Sequence, residues 1–251
     1  MPPSASHLVL IPTYDTGPRV VETVRAARTA WTPVWVVVDG STDGTAELLR
    51  AEAEGDPGLE VFVLPKNSGK GAAVLHGLRE AQRRGFTHAL TMDADGQHPP
   101  ERIAEFMRLS QQNPGAVLFG KPVFDASVPP ERLTGRKISN FWANLETLWL
   151  GLDDSLFGFR VYPVAPLVKI MNRTPFMRHF DFDPEAAVKL IWAGCRPLNP
   201  PAECRYFSRE EGGVSHFHYF RTNTVLTWMH FRLILGSFLR LPRLLSRRLR
   251  P

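Results

Sequence analysis

Two carboxylates and an amide stand at alternate positions in the stretch THALTMDADGQHPPE, residues 87–101: Asp93, Asp95 and Gln97. Successive side chains of an extended chain point to opposite sides. If that geometry persists across Gly96, the three present their oxygens toward one point. Converging oxygen donors suit a hard divalent cation, Mg²⁺ or Mn²⁺, which prefers octahedral oxygen coordination and keeps waters or phosphate oxygens in its remaining positions. A cation held this way can neutralise a diphosphate leaving group. A plain turn is the competing reading, because Asp-Gly and Pro-Pro are turn and helix-start signals wherever they occur.

Two further stretches carry related chemistry. Asp39 opens Asp39-Gly40-Ser41-Thr42-Asp43-Gly44, and a carboxylate there suits hydrogen bonds from a nucleobase or ribose. Gly69-Lys70-Gly71 offers backbone donors, a cation and a helix N-terminus, which together favour phosphate. Each also reads as ordinary turn or connection. No GxxxxGK[ST] loop is present, and no GxGxxG follows the first strand.

The elements that must position these residues follow from the apolar pattern. Residues 7–11 (HLVLI), 34–38 (VWVVV), 59–64 (LEVFVL) and the run into Met92 read as buried strands. Each of the first three is followed by a loop and a helical segment, starting at Pro18, at Thr45 and after Gly71. This is the spacing of βαβ units in an α/β fold, a mostly parallel sheet flanked by helices. Right-handed crossovers then place Asp39, Lys70, Asp93 and Asp95 along one sheet edge.

Composition sets the outer limits. The 251 residues, 43% hydrophobic and 22% charged, describe a globular chain with a real core. Cys195 and Cys204 form neither a metal spacing nor a disulfide framework, which suits a reducing compartment. Neither a signal peptide nor a transmembrane run is expected. The net charge of +5 is uneven, with no acidic residue after Glu211. Residues 224–250, TVLTWMHFRLILGSFLRLPRLLSRRLR, mix Leu, Ile, Phe and Trp with arginines. That is the pattern of a basic amphipathic helix on an anionic membrane surface, broken at Pro242; a helix packed on the domain is the alternative. No nucleic-acid recognition motif accompanies the charge, so nucleic acid is not an expected partner. His216 and His218 lack a third ligand, so no zinc site is assigned.

In this order and spacing, IPTYD, VVVDGSTDGT, NSGKGAAVLHGL and MDADGQHPPE resemble the nucleotide-binding half of a family 2 glycosyltransferase with the glycosyltransferase A fold. The branch resembled is that of the dolichyl- and polyprenyl-phosphate sugar synthases, strongly over 7–125 and more loosely over 131–217. The resemblance implies a catalytic domain over 7–217, divided into a nucleotide-sugar half (7–125) and an acceptor half (126–217), with a basic helical tail over 218–251. It implies that Pro12, Tyr14 and Asp39 hold the base and ribose of a UDP- or GDP-linked sugar. Lys70 would lie near the nucleotide, and Asp93-Ala94-Asp95 with Gln97 would carry the metal and diphosphate. Arg136 and Arg209 would face the phosphates, and residues 155–162 (SLFGFRVY) would shape the acceptor floor.

Departures accompany these matches. Asp15-Thr16 stands where the family usually has Asn-Glu, so Asp15 becomes the candidate donor-site residue there. Val38 replaces the first of two paired aspartates, and Lys121 appears without the usual Ser/Thr-Arg. The QxxRW motif of processive synthases is absent, which implies single transfer.

The acceptor half places a helix over 133–150 and another over 186–194. Asp183 and Glu185 precede the second; transfer to a hydroxyl needs a general base, and Glu185 matches the family position better. A lipid phosphate acceptor is already anionic and needs none. The expected activity is therefore an inverting, metal-dependent, non-processive transfer, with Mg²⁺ or Mn²⁺, to a lipid-linked acceptor. It is expected peripherally, at the cytoplasmic face of the membrane. A sugar nucleotidyltransferase and a catalytically inactive scaffold subunit are the alternatives.

Overall fold

A computed structural model of the chain describes residues 2–124, 128, 130–205 and 219–249. The apolar runs become strands β1 (His7–Thr13), β2 (Val34–Asp39), β3 (Leu59–Leu64) and β4 (His88–Thr91), all parallel, with β1 central to the group. Every residue of β1, β2 and β4 is buried, because helices cover both faces and no polar side remains to alternate. Pro12 is tolerated in this central strand because β4 pairing ends at Leu10, so its missing N–H interrupts no bond on that side.

Helices α1 (Arg19–Ala30), α2 (Thr45–Ala53) and α3 (Lys70–Arg83) are the crossovers, and α4 (Ile103–Gln112) follows β4 through a short 3₁₀ turn. The second half extends the sheet. After β5 (Ala116–Phe119), β6 (Lys121–Phe124) and α5 (Pro130–Glu146), strand β7 (Arg160–Pro163) inserts antiparallel between β4 and β5. Helices α6 (Val164–Asn172) and α7 (Phe182–Ala193) lead to β8 (Arg196–Leu198), parallel to β5, and β9 (Pro201–Cys204) pairs with β6. Among the described residues the main sheet has seven strands in the order β3-β2-β1-β4-β7-β5-β8. The α/β class and the shared edge are thus as the pattern predicts.

The tail forms α8 (Tyr219–Phe238) and α9 (Leu241–Arg248), broken next to Pro242 as expected. Met229, Leu233 and Leu244 are buried in the same core cluster as α3 and α7, so these helices also pack on the domain. Helix α5 stops at Glu146, short of the expected 150, because Leu148 and Trp149 take left-handed conformations (φ 51° and 54°). Helix α7 starts earlier than expected and takes Asp183 and Glu185 into its first turn, where acidic groups favour the helix dipole.

At the opposite, N-terminal end of β1 and β4, the rings of His7 and His88 stack with centroids 4.7 Å apart. His88 Nε2 donates to the Pro114 carbonyl at 3.2 Å, and His7 Nε2 meets Ser110 Oγ at 3.0 Å. Burial, then the neighbouring His88, pushes His7 down to about 4 from its ordinary 6.5, and burial also lowers His88. The unfolded chain therefore binds protons that the folded pair refuses, so stability present above pH 6.5 is lost as pH falls toward 4. Urea unfolding at pH 7 and pH 5 should show a loss of roughly 1–3 kcal/mol on acidification, at about 1.4 kcal/mol per pKa unit. His7→Gln should flatten that slope; an unchanged slope contradicts the assignment.

Candidate functional site

The C-terminal edge of the parallel strands gathers the polar residues. Lys70, first residue of α3, donates from Nζ to Asp93 Oδ1 and to Asp183 Oδ2, each at 2.7 Å. Burial opposes its charge, yet Asp183 and Asp93 together hold the ammonium well above the ordinary lysine range. Burial likewise opposes ionisation of Asp93, but Lys70 prevails and holds that carboxyl below its usual value. Among the described residues, Asp183 Oδ1 is buried with no hydrogen-bond partner. The close approach depends on Gly158, where an added Cβ would lie 2.8 Å from Lys70 Nζ and 3.1 Å from Asp93 Oδ2.

After Asp93 the chain turns instead of continuing extended. Gly96 takes φ 78° and the Gln97 N–H donates to Asp95 Oδ1 at 3.0 Å, an Asx turn. The strict alternation expected across Asp93, Asp95 and Gln97 is therefore broken at glycine. Ala94 is buried and its carbonyl accepts from Thr23 Oγ1 at 3.1 Å, anchoring this turn to α1. Burial, then the neighbouring Asp93 charge, pushes Asp95 up to about 6.

Among the described residues no three His, Cys, Asp or Glu side chains already form a metal cage. The donor set nevertheless fits a divalent cation. Burial and the neighbouring Asp93 disfavour the Asp95 anion, Asp183 Oδ1 has no hydrogen-bond partner among the described residues, and every donor is an oxygen, the ligand type Mg²⁺ and Mn²⁺ take.

The two preceding loops build the adjoining wall. Asp15, at φ 43°, accepts from the Thr42 N–H at 2.8 Å while its own N–H donates to Ser41 Oγ at 3.0 Å. Asp43 accepts from the Gly17 N–H at 2.9 Å. Tyr14 and Pro12 lie at the end of β1 beside this junction. Asp39 is buried and accepts from the Ser68 and Gly69 N–H groups at 2.9 and 2.7 Å, with burial raising its pKa. Gly69 and Gly71 are covered by residues 177–179, and the Ala72 N–H donates to the Arg178 carbonyl at 3.2 Å. The Gly69 N–H, one of the backbone donors expected for phosphate, is thus taken by Asp39, and Lys70 brings its cation to the sheet edge.

The remaining candidates divide. Arg136 on α5 pairs with Asp154 at 2.6 Å and lies 5.1 Å over the Phe124 ring, near enough to the cluster to act on His98. Asp183 joins the cluster, whereas Glu185 does not. Two positions apart on a helix point to different sides, and Glu185 is fully buried between Arg232 at 2.9 Å and Lys189 at 2.6 Å. Lys121 pairs with Asp153 at 2.9 Å on the surface. Arg209, His216 and His218 lie outside the described residues.

Two contributors escape sequence reasoning. His98, buried against Phe157 and Phe159, accepts the Asp93 N–H on Nδ1 at 2.9 Å, which holds the Asp93 backbone from behind, and its Nε2 lies 3.6 Å from Asp93 Oδ2. Arg160 is fully buried and donates to the Asp183 carbonyl at 2.6 Å and the Phe157 carbonyl at 2.6 Å. A cation inside the apolar run FGFRVY is the one signal that points to it.

Comparison with known proteins places this chain in a family. The model described as Glycosyl transferase family 2 matches residues 8–173. The chain is 33% identical over 219 residues to polyprenol monophosphomannose synthase of Mycolicibacterium smegmatis, covering 85% of this chain and 81% of that protein. It is 31% identical over 169 residues to undecaprenyl-phosphate mannosyltransferase of Micrococcus luteus, spanning 62% of this chain and 65% of that one. Among solved structures, glucosyl-3-phosphoglycerate synthase from Mycobacterium tuberculosis, in complex with Mn²⁺, UDP-glucose and phosphoglyceric acid, superposes with a TM-score of 0.64 at 12% identity, over 93% of this chain and 80% of that one. S. aureus TarS (residues 1–349) gives 0.56 at 20% identity, over 79% and 60%. These structural likenesses establish the shared fold.

Removing the central cation leaves two carboxylates facing each other. Lys70→Met should cost about 3 kcal/mol or more in urea unfolding, the scale for breaking a buried pair. Adding Asp183→Asn should restore much of that loss. A Lys70→Met cost below about 1 kcal/mol, the scale of exposed pairs, would contradict the bridge.

Proposed function

This chain belongs to glycosyl transferase family 2, and we propose that it transfers a single sugar from a nucleotide-diphospho-sugar to the phosphate of a polyprenyl lipid, with inversion. The observation that carries the reading is the Lys70 bridge, because it joins Asp93 of the donor half to Asp183 of the acceptor half at one point on the sheet edge. Two of the relatives are, by name, a polyprenol monophosphomannose synthase and an undecaprenyl-phosphate mannosyltransferase.

The UDP- or GDP-linked donor sits with its base and ribose against Pro12, Tyr14, Asp15 and Asp39. A divalent ion, Mg²⁺ or Mn²⁺, held by Asp93, Asp95 and Gln97 would supply neutralisation of the diphosphate charge. A lipid-phosphate oxygen attacks the anomeric carbon from the face opposite the diphosphate. The new carbon–oxygen bond forms as the bond to the diphosphate breaks, and that electron pair leaves on the nucleoside diphosphate. Lys70, Arg136 and Arg209 stabilise the charge that moves. The nucleophile is already anionic, so no side chain need take a proton. This agrees with Glu185 being sealed between two cations and Asp183 being tied to Lys70. Asp183 then acts by holding Lys70 in place.

The acceptor is a lipid, and among the described residues no helix is long and apolar enough to cross a membrane. The apolar α8 and the arginine-rich α9 supply the membrane contact, at the cytoplasmic face.

Purified protein given labelled UDP- or GDP-sugars, Mn²⁺ and polyprenyl phosphate should move label into the organic phase with one donor. Asp95→Ala should lower that rate roughly 10²–10³-fold, the scale of losing one charge-stabilising group, while keeping the melting temperature. Label that stays in water, or an Asp95→Ala rate close to wild type, would overturn the reading.

A further inference from the structure

Asp93 already has a cation. The Lys70 ammonium stands 2.7 Å from Asp93 Oδ1, the distance of a direct charge-assisted hydrogen bond. The other oxygen, Oδ2, lies 3.6 Å from His98 Nε2 and 3.1 Å from where a Cβ on Gly158 would stand. Oδ1 is therefore taken, and Oδ2 is walled by an imidazole and a glycine backbone. A divalent ion on Oδ1 would share that oxygen with the ammonium, two like charges on one acceptor.

The bridge is asymmetric. The Asp93 side chain is 33% exposed, that of Lys70 18% and that of Asp183 8%. Asp93 is thus the end that an arriving ligand meets, and Asp183 the end sealed from it. Asp183 is also fixed through its backbone, because its carbonyl accepts from Arg160 at 2.6 Å and it sits in the first turn of α7. Its Oδ1, without a hydrogen-bond partner among the described residues, offers the ammonium a second acceptor on that side. Lys70 ends in a flexible four-carbon stem with three rotatable donors. Such a side chain changes partner without moving the backbone.

We propose that Lys70 bars a free divalent ion from Asp93 and yields that carboxylate only to an ion carried by a diphosphate, so that metal and nucleotide-diphospho-sugar enter as one complex. This gate rests on the metal-dependent donor site proposed above and adds the form in which the donor is accepted. In the exchange the ammonium gives up Asp93 Oδ1, keeps Asp183 and donates to a phosphate oxygen, which frees Asp93 for the ion. Charge selects the complex over the free ion. A sugar-linked diphosphate carries two negative charges against the ion's two positive ones, so the complex adds no net charge to a cluster shielded from water. The ion alone would add two, next to an ammonium, and uncompensated charge at such a site is costly.

Electron paramagnetic resonance of free Mn²⁺ tests this without turnover, once corrected for the nucleotide's own Mn²⁺ complex. Wild-type protein should bind Mn²⁺ weakly by itself and ~10-fold or more tightly with saturating UDP or GDP, the scale on which a neighbouring charge shifts an ionic equilibrium. In Lys70→Met/Asp183→Asn, Asp93 has lost its ammonium and the facing carboxylate is neutral. That variant should bind Mn²⁺ alone ~10-fold or more tightly than wild type, by the same scale, and gain less from nucleotide. A melting curve shows whether it is folded at the assay temperature. If it is not, the wild-type titration decides, and Mn²⁺ that binds alone as tightly as with nucleotide overturns the gate. Equal affinity of variant and wild type for Mn²⁺ alone, with nucleotide-dependent binding intact, overturns the gate and leaves the donor-site reading standing. Mn²⁺ bound by neither protein, with or without UDP or GDP, sinks that reading and the gate together.

Discussion

One cation between two carboxylates organises this molecule. Lys70 reaches Asp93 and Asp183 at the same 2.7 Å, and those partners come from the loop after β4 and from α7, the farther one 113 residues from Lys70. Burial alone would favour protonation of Asp93, and the Lys70 ammonium holds that carboxyl below its usual value. The surroundings conform to that bridge. Gly158 leaves room for it, Gly69 and Gly71 let residues 177–179 close over the loop, and Arg160 braces the Asp183 backbone from within the sheet. His98 holds Asp93 from behind.

The first half was legible in the sequence because its strands are covered on both faces and read as unbroken apolar runs. Those runs end in loops whose turn residues mark the sheet edge, so Asp39, Lys70, Asp93 and Asp95 could be placed together before any coordinates. The second half was not legible to the same degree. Strand β7 runs antiparallel between β4 and β5 and is only four residues long; nothing in FRVY announces its direction. Glu185 matched a family position, yet Arg232, 47 residues later, seals it away. The Gly-Lys-Gly loop looked like a phosphate cradle, but Asp39, 30 residues earlier, takes the Gly69 N–H. In each case the deciding partner is distant in the chain, and local pattern carries no information about it.

The proposed donor and acceptor sides meet at that bridge. The donor side is built from short-range turn geometry, with Asp15, Asp39 and Asp43 each tying one loop to its neighbour. The acceptor side is built from long helices held by buried polar pairs, Arg136 with Asp154, His230 with Glu146, and Arg232 with Glu185. Such pairs contribute more to register than to net stability. Register is what an enzyme needs if a lipid at the membrane surface must meet a nucleotide-sugar held in water.

The central claim is that the edge around Lys70, Asp93 and Asp95 is a metal-dependent nucleotide site. Calorimetric titration of UDP and GDP, each with Mn²⁺ and again with EDTA, tests it most directly. The account predicts that one of the two nucleotides binds with Mn²⁺ present and that chelation abolishes this. Equal binding in EDTA, or no binding of either nucleotide with Mn²⁺, would contradict it.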